Sequence, residues 1–199
     1  MGEQELKHIK DAIGYISMIH RSGYSSGCLE TSATALGGPI DPYNLMLRIE
    51  QGGPQFSVRD YLEKHGMRLI GGIRVDETLP PETIEDLLLH PKTRVGRGLG
   101  FENVPAVLKG FLVLFVHQRN LQGNSDGSEN PDSANHGIAI LPRDVLPRDI
   151  RRECKKNRYF LIIDAASQYG HYFCTAEGAA SMFRDKIQQG YDVAIWLIA

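Results

Sequence analysis

Phe111-Leu-Val-Leu-Phe-Val116, His136-Gly-Ile-Ala-Ile-Leu141 and Tyr159-Phe-Leu-Ile-Ile-Asp164 are the three runs whose reading decides the fold. Each is short and nearly continuous in apolar residues, the pattern of a strand buried on both faces. Consecutive strands usually pair as neighbours. If these three pair antiparallel, the first residue of the second strand comes to the same sheet rim as the last residue of the third. Those residues are His136 and Asp164. His171–Cys174 and Asp192–Ile198 read as further strands, flanking a helix from Ala176 to Gln188 that Thr175 opens and Gly190 closes.

Upstream of Phe111 the signal is mainly helical. Leu6, Ile9, Ile13 and Ile16 recur at spacings of three and four, so residues 3–20 form an amphipathic helix. Ser22-Gly-Tyr-Ser-Ser-Gly27 breaks it and leads into a second helix, Cys28-Leu-Glu-Thr-Ser-Ala-Thr-Ala-Leu36, which Gly37-Gly38-Pro39 ends. Further helices are expected over Pro42–Glu50, 57–65 and Pro81–Leu89, with a strand over Met67–Val75. Gln118–Asn135, rich in Asn, Asp, Ser and Gly, reads as a long flexible loop, and the densely charged Arg148–Lys156 as a solvated surface turn. The expectation is a single α+β domain spanning 1–199, with an N-terminal helical part carrying Cys28 and a C-terminal antiparallel sheet carrying His136 and Asp164.

Composition narrows the function classes. The chain has 199 residues, 42% of them hydrophobic, and a formal charge of −2. That balance lacks the basic face that nucleic acid or an anionic membrane selects. No apolar run approaches the ~20 residues that span a bilayer. Three cysteines without regular spacing make neither a disulfide framework nor a zinc site. The glycine-rich Arg94–Gly100 lacks the Lys-Ser/Thr and the strand–loop–helix context of a phosphate loop. The expected location is cytoplasmic, with secretion by a non-classical route left open because no secretory signal is visible. Neither metal nor cofactor is expected.

The chemistry is expected at Cys28, His136 and Asp164. A thiol at a helix N-terminus lies in the field of unpaired backbone N–H groups, which favour thiolate and can also donate to an oxyanion. Gly27 before it admits the close approach of a substrate backbone. The alternative for Cys28 is a small packed apolar residue. Among seven histidines, His136 stands where a loop enters a strand, at a sheet rim, while His20, eight residues before Cys28, is a rival. His8, His65 and His90 read as surface residues, His117 and His171 as structural ones. Asp164 either caps the turn Ala165–Gly170 or accepts from the second ring nitrogen of His136, fixing its tautomer.

The ordered pattern of Gly-Cys on a helix, a buried strand, His on the next strand and Asp after the following one resembles the papain-like cysteine peptidase superfamily in its compact bacterial form. Bacteriocin-leader peptidases, and papain-like toxin and effector domains of the YopT and Pasteurella-toxin type, are the similar groups. Ile163-Asp164-Ala-Ala-Ser-Gln-Tyr-Gly170-His-Tyr-Phe173 is similar to the Asp-containing turn of those effectors, and 180–197 to their closing helix and strand. The resemblance extends over residues 20–199 as an order of elements.

It implies a papain-like fold with Cys28 as nucleophile, His136 as base and then acid, and Asp164 as orienting carboxylate. The implied activity is thiol-dependent hydrolysis of a protein substrate, such as a host protein met by an effector, giving either proteolysis or glutamine deamidation. Relatives carry Gln or Asn about six residues before the cysteine as oxyanion donor, whereas here Ser22 stands there. Losing such a donor typically costs ~100- to 1000-fold in rate. Ser22, Ser26, Gly27 and Gln168 are the candidates for oxyanion or substrate contacts, with Ser25 and His20 as substitutes. Two other readings stay open: an inactive papain-like interaction module, and an unrelated α+β domain in which the three residues never meet.

Overall fold

Side chains alternate across a strand, so a strand covered on both faces has to be apolar at every position. Phe111, Val113 and Phe115 enter one hydrophobic cluster, and Leu112 and Leu114 enter the other. The strand that carries them therefore lies inside a sheet, with a core on each side. The structure is a computed structural model that describes residues 7–22, 27–37, 62–64, 66–92, 104, 108–117, 136–153 and 160–199, with backbone alone for 18–22, 117 and 153. The expected helix Pro42–Glu50, most of the expected helix 57–65, the glycine-rich 94–100 and the loop 118–135 lie outside the described residues.

The chain is α+β. Its elements are α1 (Lys7–Ser22), α2 (Cys28–Gly37), β1 (Leu69–Val75), α3 (Pro81–Leu89), β2 (Gly110–His117), β3 (His136–Pro142), α4 (Arg148–Glu153), β4 (Phe160–Ile163), β5 (His171–Cys174), α5 (Ala176–Gln188) and β6 (Tyr191–Ile198). Six strands form one sheet in the order β1-β6-β2-β3-β4-β5, with every neighbouring pair antiparallel. β6 is last in sequence yet sits between β1 and β2, pairing Ile73↔Ile195 on one side and Val113↔Ile195 on the other.

The two faces are covered by different helices. Ile9, Ala12 and Ile16 of α1 and Ala33, Ala35 and Leu36 of α2 pack with Leu112, Leu114, Ala139 and Leu141. Ile84, Leu87 and Leu88 of α3 and Ala179, Ala180 and Phe183 of α5 pack on Phe111, Val113, Phe115, Ile138 and Ile140. Burying an aliphatic or aromatic side chain of this size is worth about 1.5–3 kcal/mol, so the two clusters together hold the helices to the sheet. α5 begins where Thr175 accepts a hydrogen bond from the Gly178 N–H at 3.0 Å, the N-cap arrangement.

One sequence expectation changes. Arg148–Lys156 was read as a solvated turn because of its charge, but Arg148–Glu153 is helical. The Arg151 guanidinium donates to the carbonyls of Asp144 and Leu146, and Ile150 packs against the α1–α2 side of the core. The charged segment is thus anchored by its own arginine. The strand expected over Met67–Val75 forms as β1, at the edge of the sheet beside β6. Among the described residues no helix is long and apolar enough to cross a membrane.

Candidate active site

The site is assembled at the rim where β3 begins and β4 ends. Ala139 stands opposite Ile163, which brings the residue after β4, Asp164, to the same end of the sheet as His136. The Nε2–H of His136 donates to Asp164 Oδ1 at 2.9 Å. That bond occupies Nε2, and the side chain of Cys28 is the other neighbour that bears on the protonation of the imidazole. Cys28 is a free, partly buried cysteine.

The imidazole is held by packing as well. Its ring lies nearly parallel to that of Phe115, with 17° between the planes and 5.9 Å between centroids. Phe115 is the residue opposite His136 on β2 and in turn packs on Phe183 of α5. With one nitrogen fixed by a carboxylate and one face against a buried ring, His136 has little rotational freedom.

Asp164 serves two structural ends at once. The same Oδ1 accepts the Ala166 N–H at 2.9 Å, while backbone bonds Asp164 N–H to Gly170 O, Ser167 N–H to Asp164 O and Gly170 N–H to Ser167 O close the turn around it. Capping the turn and holding the imidazole, read from the sequence as alternatives, coexist on one oxygen. The carboxylate cannot swing away from His136 without opening the turn.

On the other side, α2 delivers the thiol. Gly27 has φ of 112°, a conformation that side-chain-bearing residues rarely adopt, and its carbonyl accepts from both the N–H and the hydroxyl of Thr31, at 3.0 and 2.6 Å. This sharp entry makes Cys28 the first residue of the helix. Thr31, Ser32 and Thr34 are buried polar residues, and each donates its hydroxyl to the carbonyl four residues earlier. Such back-bonds let a helix bury hydroxyls without leaving them unpaired. Ser32 reaches further: its Oγ also lies 3.0 Å from the carbonyl oxygen of Gly137, the residue after His136. A side chain at Gly137 would collide with Leu29 of α2, so the helix approaches β3 as closely as it does because that position is glycine.

Electrostatics follow from this geometry. Burial alone would pull the His136 pKa down. The hydrogen bonds and charges of Asp164 and Cys28 outweigh it and raise His136 to about 9. Burial would likewise lift Asp164, but the His136 bond, its charge and the Ala166 N–H hold the carboxyl below its ordinary value. At neutral pH the pair is therefore an imidazolium on a carboxylate, with the Cys28 side chain beside it. Tyr172, raised by burial and by the charge of Asp164, stays protonated and donates to Met182 Sδ at 3.3 Å.

The remaining sequence candidates are placed as follows. Gly27 is buried at the head of α2. Ser22 ends α1, and Ser26 lies outside the described residues, as does Cys154. Gln168 is exposed in the turn after Asp164, without a hydrogen bond to the His136–Asp164 pair among the described residues. Cys174 is on the edge strand β5, where its thiol donates to the Thr175 carbonyl. His171 Nδ1 bonds the Tyr169 carbonyl at 3.0 Å, a local turn contact. Sequence reasoning missed Ser32, Gly137 and Phe115, each of which matters only through a partner on another element. No group of three or more His, Cys, Asp or Glu residues able to hold a metal occurs among the described residues. Comparison with protein-family models, with curated proteins and with solved structures finds no match for this chain.

Proposed function

We propose that this chain is a thiol-dependent hydrolase of amide bonds in a protein substrate, with Cys28 as nucleophile, His136 as acid and base, and Asp164 as the carboxylate that orients the imidazole. The observation that carries this reading is that one imidazole is bonded to a carboxylate at Nε2 and has a thiol as its other polar partner. A papain-like fold is part of the proposal. Its support is the order of parts: a cysteine opening a helix on one face of an antiparallel sheet, a histidine opening an inner strand, and an aspartate following the next strand.

The chemistry proceeds in two halves. Cys28 reacts as the thiolate, its proton taken up by His136 as imidazolium: Sγ bonds to the carbonyl carbon of the substrate amide, and the carbonyl electrons move onto oxygen. As the intermediate collapses, the C–N bond breaks and the His136 imidazolium gives its proton to the leaving nitrogen. Neutral His136 then takes a proton from water, whose oxygen attacks the thioester and releases a carboxylate and the thiol. A backbone amide gives cleavage, and a glutamine side chain gives glutamate and ammonia. The N–H groups at the head of α2 are the donors this reading assigns to the oxyanion. The imidazolium also stabilises negative charge on Sγ before attack. Asp164 keeps the imidazole in the tautomer that presents Nδ1 to sulfur.

The test is intact mass spectrometry of candidate substrate proteins incubated with wild type and with Cys28→Ala. Fragments formed by wild type alone identify a peptidase, and a gain of about one mass unit, the replacement of an amide NH2 by OH, identifies a deamidase. Alkylation provides a substrate-free check: Cys28 should react with iodoacetamide faster than Cys154 and Cys174 at pH 6. Equal rates at all three cysteines argue for a protein-interaction module instead.

A further inference from the structure

We propose that Ser32 is a positioning residue for the thiol–imidazole pair, its hydroxyl tying the first turn of α2 to the start of β3. The inference rests on the reading of Cys28 and His136 as nucleophile and base. Ser32 is 1% exposed, and its Oγ is 2.7 Å from the carbonyl oxygen of Cys28 and 3.0 Å from that of Gly137. One of these carbonyls belongs to the proposed nucleophile and the other to the residue after the proposed base. A serine hydroxyl has a single proton, so the two oxygens share one donor, and neither can retreat without weakening the bond to Ser32.

The back-bond to Cys28 alone would be ordinary for a serine inside a helix. The approach to Gly137 is not, because it crosses 105 residues of sequence to another element. It also lies where α2 and β3 are pressed together: a side chain at Gly137 would strike Leu29, one residue after Cys28. Packing thus sets how near the helix comes, and the hydroxyl fixes where along the strand it rests. The sulfur and the imidazole are carried by the two backbones so joined. A misplacement of about 1 Å in such a pair costs roughly 100-fold in rate.

Among the described residues, the charges that bear on this pair are those of Asp164, just after β4, Lys186 of α5 acting on Asp164, and the two partners themselves. Ser32 carries none, so its removal acts on the pair through distance alone.

The experiment follows iodoacetamide alkylation of Cys28 from pH 5 to 10 in the full chain, site by site by mass spectrometry, for wild type, Ser32→Ala, Ser32→Thr and Thr34→Val. Ser32→Ala should slow labelling at pH 6 by roughly 10- to 100-fold and move the profile to higher pH. Ser32→Thr, which keeps the hydroxyl, should retain the wild-type profile. Thr34→Val removes the matching back-bond to Glu30 two residues further along the helix and should lower the unfolding temperature without moving the profile. A Ser32→Ala profile superimposable on wild type overturns the proposal, as does a Thr34→Val profile displaced equally. If Ser32→Ala does not fold, Ser32→Thr decides: an unchanged profile supports the tether, and a displaced one with the hydroxyl in place overturns it. If wild-type Cys28 labels no faster than Cys154 or Cys174, the thiol-hydrolase reading fails first, and the two failures are thereby distinguished.

Discussion

His136 is the residue on which the charge of the site turns. Its pKa is raised to about 9 in the folded chain, so the folded chain holds that proton more tightly than the unfolded one. The stabilisation is therefore complete below pH 6.5, the ordinary histidine value, and is lost as pH rises through about 9. Asp164 is displaced in the opposite sense. Its contribution is present above pH 3.8 and disappears as pH falls through the lowered value. Thermal unfolding measured across pH should show wild type losing stability between pH 6.5 and 9 relative to His136→Gln, and the difference should be flat between pH 3.8 and 6.5. A difference that grows with pH would contradict the ion pair. At this scale the sequence was partly legible. His136 and Asp164 stand at the ends of apolar runs, so strand order alone brings them to one rim. Ser32 and Phe115 were not legible, because a buried serine and a core phenylalanine look alike in sequence whether or not they touch an imidazole or a distant carbonyl.

Between elements, the seam that matters is α2 against β3. Gly137 lies under Leu29, and a Cβ there would also meet Leu114 Cδ2 at 3.4 Å. Gly137→Ala is expected to destabilise the chain by about 1–3 kcal/mol through overpacking and to push the helix that bears Cys28 off the strand. Leu29→Ala in the same chain opens the space again. Denaturant unfolding should show the double variant less destabilised than the sum of the single ones, and alkylation of Cys28 should recover with it. Strict additivity would mean that the two residues are not opposed. Elements with strong local signals were readable: Pro81 opens α3 and Thr175 caps α5, and the apolar runs gave β2, β3 and β4. α4 carries the solvent exposure that its charge suggests at Arg148, Asp149 and Arg152 but is a helix and not a turn, because the bonds of Arg151 to Asp144 and Leu146 depend on where the chain turns before it.

Across the whole molecule, the sheet is closed by its last strand. β6 contributes Val193, Ile195 and Leu197 to one core and Ile198 to the other, and it joins β1 to β2, pairing with β1 through Val193–Ile198 and with β2 along its full length. Deleting residues 191–199 removes the one strand that pairs with β1 among the described residues and uncovers one side of β2, so the shortened chain is expected to lose cooperative unfolding and amide protection in β1 and β2. Hydrogen exchange read by mass spectrometry checks this, and native-like protection in β1 would refute it. The α+β character was legible because helical and strand periodicities differ. The position of β6 was not, since pairing between the ends of a sequence leaves no local trace.

That position has a consequence during synthesis. A ribosome emits β2, β3, β4 and β5 well before Tyr191–Ile198, so a nascent chain can hold its thiol, imidazole and carboxylate while one side of β2 still bears unpaired backbone groups between two apolar faces. Such an edge invites pairing with another nascent chain. For this protein, the edge of β2 stays open to such pairing until β6 takes its place beside it.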